Sequence, residues 1–466
     1  MENNLIYGVH DRPPFGKTLI FAFQQVLAIL AATIAVPTIV GHGMSQSAAL
    51  FGAGIGTIVY LLFTKFRSPV FLGSSFAFLG SMAAAFAGGV SMSVGYLGLI
   101  IGAILAGLVY VFLALIVKKC GSNWVNKLMP PVVIGPTVAI IGLSLAGNAV
   151  GDLSNGGIRI DGVSICSPYL AILCGLVTLG VTIACSVYGK KMLKMIPFII
   201  GILAGYALAA IFTGFGYLCN VDALKIVNFE LFNSIKWYPD FTFLTAIKGF
   251  NEFTWSNLGT IAVAYVPVAF VVFAEHIADH KNLSTVIGSD LLKDPGLDKT
   301  LLGDGVGSMA GAIFGGCPNT TYGESVGCVA ISRNASVSTI FVTAIMCMLA
   351  SFVGPFVTFL ATIPSCVMGG VCIALYGFIA VSGLKMIQKV DLEDNKNLFV
   401  VSVILIAGVG GMTLSFGQVT ITEVACALIL GILARVLVSF KKDNKVEEKV
   451  ISEDTVTVEV KTEEDK

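Results

Sequence analysis

Long apolar runs separated by short polar connections dominate the chain. Crossing a hydrocarbon core of about 30 Å takes roughly 20 apolar helical residues, and runs of this kind recur from one end of the sequence to the other. The pattern therefore predicts an all-α membrane protein with about 14 transmembrane segments. The predicted runs cover residues 17–40, 48–65, 70–88, 93–117, 131–150, 167–188, 193–215, 257–279, 299–316, 319–333, 336–362, 364–388, 397–414 and 420–439.

Composition supports a membrane protein and argues against a nucleic-acid partner. Of the 466 residues, 56% are hydrophobic and 12% are charged, whereas soluble domains carry about 25% charged residues. The formal net charge is zero, so nothing attracts the protein to a polyanion. The expected partner is the lipid bilayer of the cell membrane.

Lysine and arginine occur in alternate connections between the runs, which sets the predicted orientation. The intervening loops at 41–47, 89–92 and 415–419 have none. By the positive-inside rule both termini are cytoplasmic, and the charged tail at 441–466 is predicted to be disordered. The basic residues used are Arg12, Lys17, Lys65, Arg67, Lys118, Lys119, Lys190, Lys191, Lys281, Lys293, Arg333, Lys385, Lys389, Lys441 and Lys442.

The two halves of the sequence resemble one another in register. Three pairs of segments match: 50–57 with 301–308, 74–76 with 320–322, and 130–135 with 364–369. The members of each pair lie seven runs apart, and an odd offset places them in opposite orientations across the membrane. Inverted repeats of this kind are typical of transporters, with the substrate site where the repeats meet.

Runs three and ten are unusual for membrane spans. Pro318 and Gly323 interrupt run ten, and Pro69 precedes run three. Each predicts an extended stretch followed by a half-helix, starting near Ser74 in one case and near Thr321 in the other. Non-helical backbone at membrane depth is tolerated only where protein or a cavity covers it. Both helix starts would then direct free backbone NH groups towards one place.

Four acidic residues fall inside or at the end of apolar runs, where a charge is expensive and usually functional. Glu275, Asp279 and Glu324 are the candidates for a binding site or for proton coupling, and Asp304 is a secondary candidate.

Each acid also has a structural alternative. Glu324 fits a capping box with Thr321, and Glu275 could be a solvated carboxylate at the cytoplasmic interface. Asp279 lies close to Lys281 for an ion pair, and Asp304 could sit at a helix interface.

His276 and His280 stand four residues apart, the helical spacing of a metal pair. The order of residues around them is not HExxH and no third ligand is evident. An intramembrane metallohydrolase is therefore a weak alternative, and neither an enzyme, a metal nor a cofactor is expected. Ser75, Phe76, Tyr322 and Tyr376 could line a site for a planar ring.

The chain resembles the nucleobase/ascorbate transporter family, and within it the bacterial uracil permeases. The resemblance covers nearly the whole length except the tail and the loop around 216–256. Its most specific pieces are 7–14, 72–78, 274–276, 290–297 and 318–324.

The resemblance implies 14 segments in two inverted repeats of seven, with short strands in segments 3 and 10. It implies a core domain at 17–117 (segments 1–4) and 257–362 (segments 8–11). It also implies a gate domain at 131–215 (segments 5–7) and 364–439 (segments 12–14).

The resemblance further implies a dimer that takes up uracil with protons as the core moves against the gate. Glu275 and Glu324 would accept the ring NH protons, and the backbone NH groups of Phe76 and Gly323 would meet the carbonyls. Phe76, Tyr322 and Tyr376 would surround the ring.

The chain departs from the family pattern in three places. Asp279 and Gln25 stand where many members have histidine, and Ser325 and Ser332 stand where they have asparagine and threonine. The first change affects the expected proton route, and the third could change which base is preferred. A purine or xanthine permease is the alternative within the family, and a passive channel is the alternative outside it.

Overall fold

Helices make up most of the chain in the computed structural model. It describes residues 5–121, 124–125, 129–160, 163–190, 192–416 and 419–439, so the predicted tail at 441–466 lies outside the described residues. The helices of the first half are α1 (Phe15–Val40), α2 (Gln46–Phe63), α3 (Leu79–Ala85), α4 (Met92–Cys120), α5 (Pro131–Ser144), α6 (Ala146–Asp152), α7 (Pro168–Tyr188), α8 (Met192–Met195) and α9 (Pro197–Cys219).

The second half of the chain is also mostly helical. Its helices are α10 (Thr242–Ala246), α11 (Trp255–Ile287), α12 (Leu297–Gly315), α13 (Gly323–Ser332), α14 (Val337–Ala350), α15 (Gly354–Thr362), α16 (Ser365–Ile387), α17 (Asn395–Val409) and α18 (Glu423–Ser439). Short 3₁₀ turns at Asp222–Leu224, Phe229–Ser234 and Ile247–Gly249 lie in the long connection between α9 and α11.

Eight helical stretches of the described residues are long and apolar enough to cross a membrane, one of them formed by α5 and α6 together, and a bent pair raises the number to nine. The chain is therefore a mostly helical, multi-pass membrane protein. The bent pair occupies the predicted run 336–362. α14 and α15 meet at 84°, and Pro355 opens α15, where it cannot continue the preceding helix.

Two of the three short strand pairs lie in connections between helices, and the third occupies the interrupted runs. β2 (Arg159–Ile160) pairs with β3 (Val163–Ser164), and β5 (Leu414–Phe416) pairs with β6 (Val419–Ile421). The remaining pair, β1 (Leu72–Ser74) and β4 (Asn319–Thr321), brings runs three and ten together.

β1 and β4 are antiparallel, with Gly73 opposite Thr320. The Ser75 amide extends the pairing by donating to the Pro318 carbonyl at 2.9 Å. The predicted extended stretches are thus confirmed, but the helix starts lie later than predicted. α3 begins at Leu79 and α13 at Gly323, because the residues that were expected to open them form the strands and the turns that follow.

Glycines allow α2 and α12 to cross at close range. A Cβ atom added to Gly56 would lie 2.8 Å from the Gly307 carbonyl oxygen and 2.4 Å from Asn319 Nδ2. Asn319 Nδ2 in turn donates to the Gly52 carbonyl at 2.9 Å, which fixes β4 against α2. α5 and α16 meet similarly, since a Cβ on Gly383 would lie 2.4 Å from the Gly135 carbonyl oxygen.

Candidate functional site

A cavity of about 270 Å³ lies beside the β1–β4 pair. It is lined by residues of α11, β4 and α13 and by residues of α5, α7, α8, α9 and α16. Its lining residues are Ala28, Phe76, Val138, Ser186, Lys194, Pro197, Phe198, Glu275, Ala278, Asp279, Asn282, Thr320, Thr321, Tyr322, Gly323, Glu324, Val326, Gly327, Cys328, Ile331, Phe378, Ile379 and Ser382.

α11 supplies the cavity with one polar helix face. Glu275, Ala278, Asp279 and Asn282 follow the spacing i, i+3, i+4, i+7, so they share a side of the helix. Oε2 of Glu275 is buried and has no hydrogen-bond partner among the described residues. A buried acceptor left unpaired is costly. This oxygen is therefore available to a donor that enters the cavity.

Glu324 faces the same cavity from the first turn of α13. The first NH groups of a helix have no acceptor within it, and an acid is favourable there. The capping-box alternative is wrong, because the helix has no side-chain cap and the hydroxyl of Thr321 donates to another residue.

That other residue is Asp279. Thr321 Oγ1 donates to Asp279 Oδ2 at 2.6 Å, and Asp279 is 7% exposed. The ion-pair alternative for Asp279 is wrong, because no described ion pair joins it to Lys281. Asp279 instead attaches α11 to strand β4 at the wall of the cavity.

Two aromatic side chains complete the lining near the strands. Tyr322 donates from its hydroxyl to the Ser74 carbonyl at 2.9 Å, and its ring lies over Gly73, where any Cβ would meet it at 2.3 Å. The ring of Phe76 packs edge-on against Tyr376, with centroids 5.4 Å apart and an interplanar angle of 83°.

The predicted site residues Ser75, Tyr376 and Gln25 are not among the residues that line the cavity. All three are buried. Gln25 Nε2 donates to Ser325 Oγ at 2.5 Å, so two of the positions that depart from the family pattern bond to each other. Tyr376 reaches the site indirectly, through Phe76.

Asp304 is also outside this cavity and belongs to a buried polar network. Its Oδ2 lies 2.6 Å from His276 Nδ1, and His276 Nε2 lies 3.1 Å from the Thr300 hydroxyl. His280 Nε2 lies 2.7 Å from the Tyr60 hydroxyl. Within the described chain no group of three or more His, Cys, Asp or Glu residues could hold a metal ion, and both histidines already have protein partners.

The sequence analysis did not identify Thr320 and Lys194 as residues of the cavity, and it did not predict the bond between Thr321 and Asp279. Thr320 and Thr321 belong to the extended stretch that was predicted, so their positions in a strand beside the acids were available as a signal. Lys194 is on the short helix α8, between two long helices, and the pattern of runs gives no sign that it reaches the cavity.

Comparison with known proteins agrees with this geometry. The chain is 40% identical to a uracil permease of Bacillus caldolyticus, over 93% of this chain and 95% of that protein. It is 38% identical to a uracil permease of Bacillus subtilis (strain 168), over 94% and 97%.

A solved structure shares the fold at low sequence identity. The transmembrane domain of the cyanobacterial bicarbonate transporter BicA superposes with a TM-score of 0.62 at 15% identity, covering 92% of this chain and 100% of that one.

A family model described as a permease family matches residues 16–416. Its match spans most of the chain and includes every residue that lines the cavity. The resemblance predicted from the motifs is thereby confirmed, and it indicates transport rather than catalysis. The chain belongs to this permease family, that of the nucleobase/ascorbate transporters.

Proposed function

We propose that this protein takes up uracil across the cell membrane together with a proton. The observation that carries the proposal is the unpartnered Oε2 of Glu275 at the wall of a cavity that Glu324 also lines. The names of the relatives, uracil permeases at 38–40% identity over almost their full length, support uracil as the substrate.

The chemistry of the cavity suits a uracil ring. Uracil has two ring NH donors and two carbonyl acceptors. Glu275 and Glu324 supply acceptors for the donors, and the backbone NH groups of Gly323 and Phe76 supply donors for the carbonyls. Phe76 and Tyr322 supply apolar ring surface for a flat heterocycle, with Tyr376 behind Phe76.

For the architecture we propose 14 segments in two inverted repeats of seven. Three observations support it: the antiparallel pairing of β1 with β4, and the close crossings of α2 with α12 and of α5 with α16. Each joins the two members of a pair that the sequence predicts to be related.

The proposed core comprises 17–117 and 257–362, and the proposed gate comprises 131–215 and 364–439. The cavity is lined by residues of both. Substrate would cross as the core moves against the gate within a homodimer.

The orientation that we propose has both termini in the cytoplasm. Ser186 near the end of α7, Lys194 in α8 and Pro197 at the start of α9 line the cavity. They flank the connection that carries Lys190 and Lys191, a predicted cytoplasmic loop. In this orientation the cavity would lie towards the cytoplasmic side, as expected of an inward-facing state.

Coupling to protons follows in this proposal from the cost of carrying charge through an apolar barrier. Glu275, Asp279 and Glu324 together would be three negative charges at membrane depth. Protonation of one of them, or its pairing with a ring NH of uracil, would lower that cost before the core passes the gate. Asp279 would take part here at the position where, by the resemblance, many family members have histidine.

The experiment that tests the substrate is an uptake panel with purified protein in liposomes. Uptake of labelled uracil should be competed by unlabelled uracil and much less by xanthine. Competition by xanthine at equal or lower concentration would instead assign the protein to the purine and xanthine permeases, and uptake of no base at all would reject the proposal.

A further inference from the structure

The central residue of strand β4 carries a polar group that the mechanism above does not use. Asn319, Thr320 and Thr321 are all buried. The side chains of the outer two have partners, since Asn319 donates to the Gly52 carbonyl and Thr321 donates to Asp279. The hydroxyl of Thr320 has no partner among the described residues.

The position of Thr320 in the strand pair explains why its hydroxyl is unpaired. Successive side chains of a strand point to opposite faces, so Thr320 points away from Asn319 and Thr321. Its neighbour across the pair is Gly73, which has no side chain to offer. Tyr322, which shares the face of Thr320, already donates its own hydroxyl to Ser74.

Thr320 nevertheless lines the cavity that contains Glu275 and Glu324. Native proteins rarely leave a buried hydroxyl unpaired unless the site needs it. Threonine exchanges its hydroxyl and methyl positions by one rotation about χ1. The hydroxyl can therefore turn to a ligand while the methyl takes its place in the wall.

We infer that Thr320 is a specificity-determining residue, whose hydroxyl donates a hydrogen bond to one of the two exocyclic carbonyl oxygens of the bound base. This inference rests on the proposed function. The two carboxylates accept from the ring NH donors, and each carbonyl oxygen has a second lone pair that can accept a hydrogen bond beside the one from a backbone NH group.

The test combines one isosteric variant with two sulfur analogues. Thr320→Val keeps the shape of the side chain and removes the hydroxyl. Binding of uracil, 2-thiouracil and 4-thiouracil is measured by calorimetry on purified wild type and variant. Sulfur accepts hydrogen bonds poorly, so the wild type should prefer uracil over the analogue altered at the contacted position.

In Thr320→Val we expect uracil to bind about three- to tenfold more weakly. The preference for uracil over one thio analogue should collapse, and the preference over the other should remain, as in a double-mutant cycle. Thr343→Val is the matched control: Thr343 is fully buried in α14, and its hydroxyl bonds within its own helix. It should leave both preferences unchanged.

Three results would overturn the inference. The first is an unchanged preference against both analogues in Thr320→Val. The second is a wild type that binds both analogues as well as uracil, a measurement that needs no variant to fold. The third is loss of the preference in Thr320→Ser, which retains the hydroxyl. Failure of the wild type to bind uracil would count against the proposed function itself. The three results above concern only the ratio of the affinities for uracil and its thio analogues.

Discussion

The hydroxyl of Thr321 donates to Asp279 at 2.6 Å, joining strand β4 to helix α11 at the wall of the cavity. Both residues are buried, so the bond is shielded from water and holds the strand beside Glu275. The bond joins two elements of the proposed core, so we expect α11 and β4 to move together against the proposed gate. Asp279 therefore links a titratable group in the cavity wall to the strand.

Asp279→Asn should separate uracil binding from proton coupling. The amide oxygen can still accept from Thr321, so we expect uracil affinity within about threefold of wild type. Proton-driven accumulation should fall, because one titratable group of the site is lost. Uptake with an imposed proton gradient and uracil exchange without one are the two measurements. Normal accumulation together with lost exchange would contradict this role.

Glu275→Gln should abolish uracil uptake. The substitution keeps the size of the side chain and replaces a charged acceptor by a neutral amide. A hydrogen bond to a charged group is worth about 1.5–3 kcal/mol, so binding should weaken about tenfold or more. Calorimetry and liposome uptake measure the two effects. If Glu275→Gln transports normally, Glu275 does not belong to the site.

Glu324→Gln should likewise abolish uptake, since this carboxylate approaches the same cavity from α13. Its matched control is Glu423→Gln, an acid in the first turn of α18 that does not line the cavity. Uptake by Glu423→Gln should be close to that of wild type. Equal losses in the two variants would mean that the effect is general and that Glu324 has no special role.

The sequence predicted the outline of the site because its signals are local. Pro318 and Gly323 indicate a break in run ten, and acids in apolar runs are rare enough to stand out. The register of β1 with β4 and the bond between Thr321 and Asp279 join residues about 250 and 42 positions apart. Such pairings depend on how the helices pack, which no local pattern specifies.

Two features that local patterns do not reveal have the same origin. The capping box between Thr321 and Glu324 is a valid local pattern, but a tertiary partner, Asp279, takes the hydroxyl. The pattern predicts one apolar span at 336–362, and the bend between α14 and α15 within it follows from Pro355 and from contact with the loop at 216–256. A Cβ on Gly354 would lie 2.6 Å from the Ile235 side chain.

Gly323→Ala tests the backbone contact with the substrate. A Cβ there would meet Asp279 Oδ1 at 3.9 Å, an ordinary contact, so the variant should fold normally. The methyl group would occupy the place where the amide of Gly323 meets a carbonyl of the base. Uracil binding should weaken about tenfold or more with an unchanged melting temperature. Gly180→Ala, with open space around it, is the control, and equal affinity in both variants would exclude the contact.

Gly56→Ala tests the crossing of α2 with α12. The added methyl group would collide with the Gly307 carbonyl oxygen and with Asn319 Nδ2. We expect a loss of about 1–3 kcal/mol in unfolding free energy, read as a lower melting temperature in detergent. Gly147→Ala, which has no atom within 4 Å of the added Cβ, should melt like wild type. Equal melting of all three proteins would show that the crossing tolerates side chains.

The central claim is that uracil and a proton cross together, and uptake of labelled uracil into liposomes containing the purified protein tests it most directly. With an imposed proton gradient, inside alkaline, the account predicts accumulation above the external concentration, and a protonophore should abolish it. Equal uptake with and without the gradient would contradict the account.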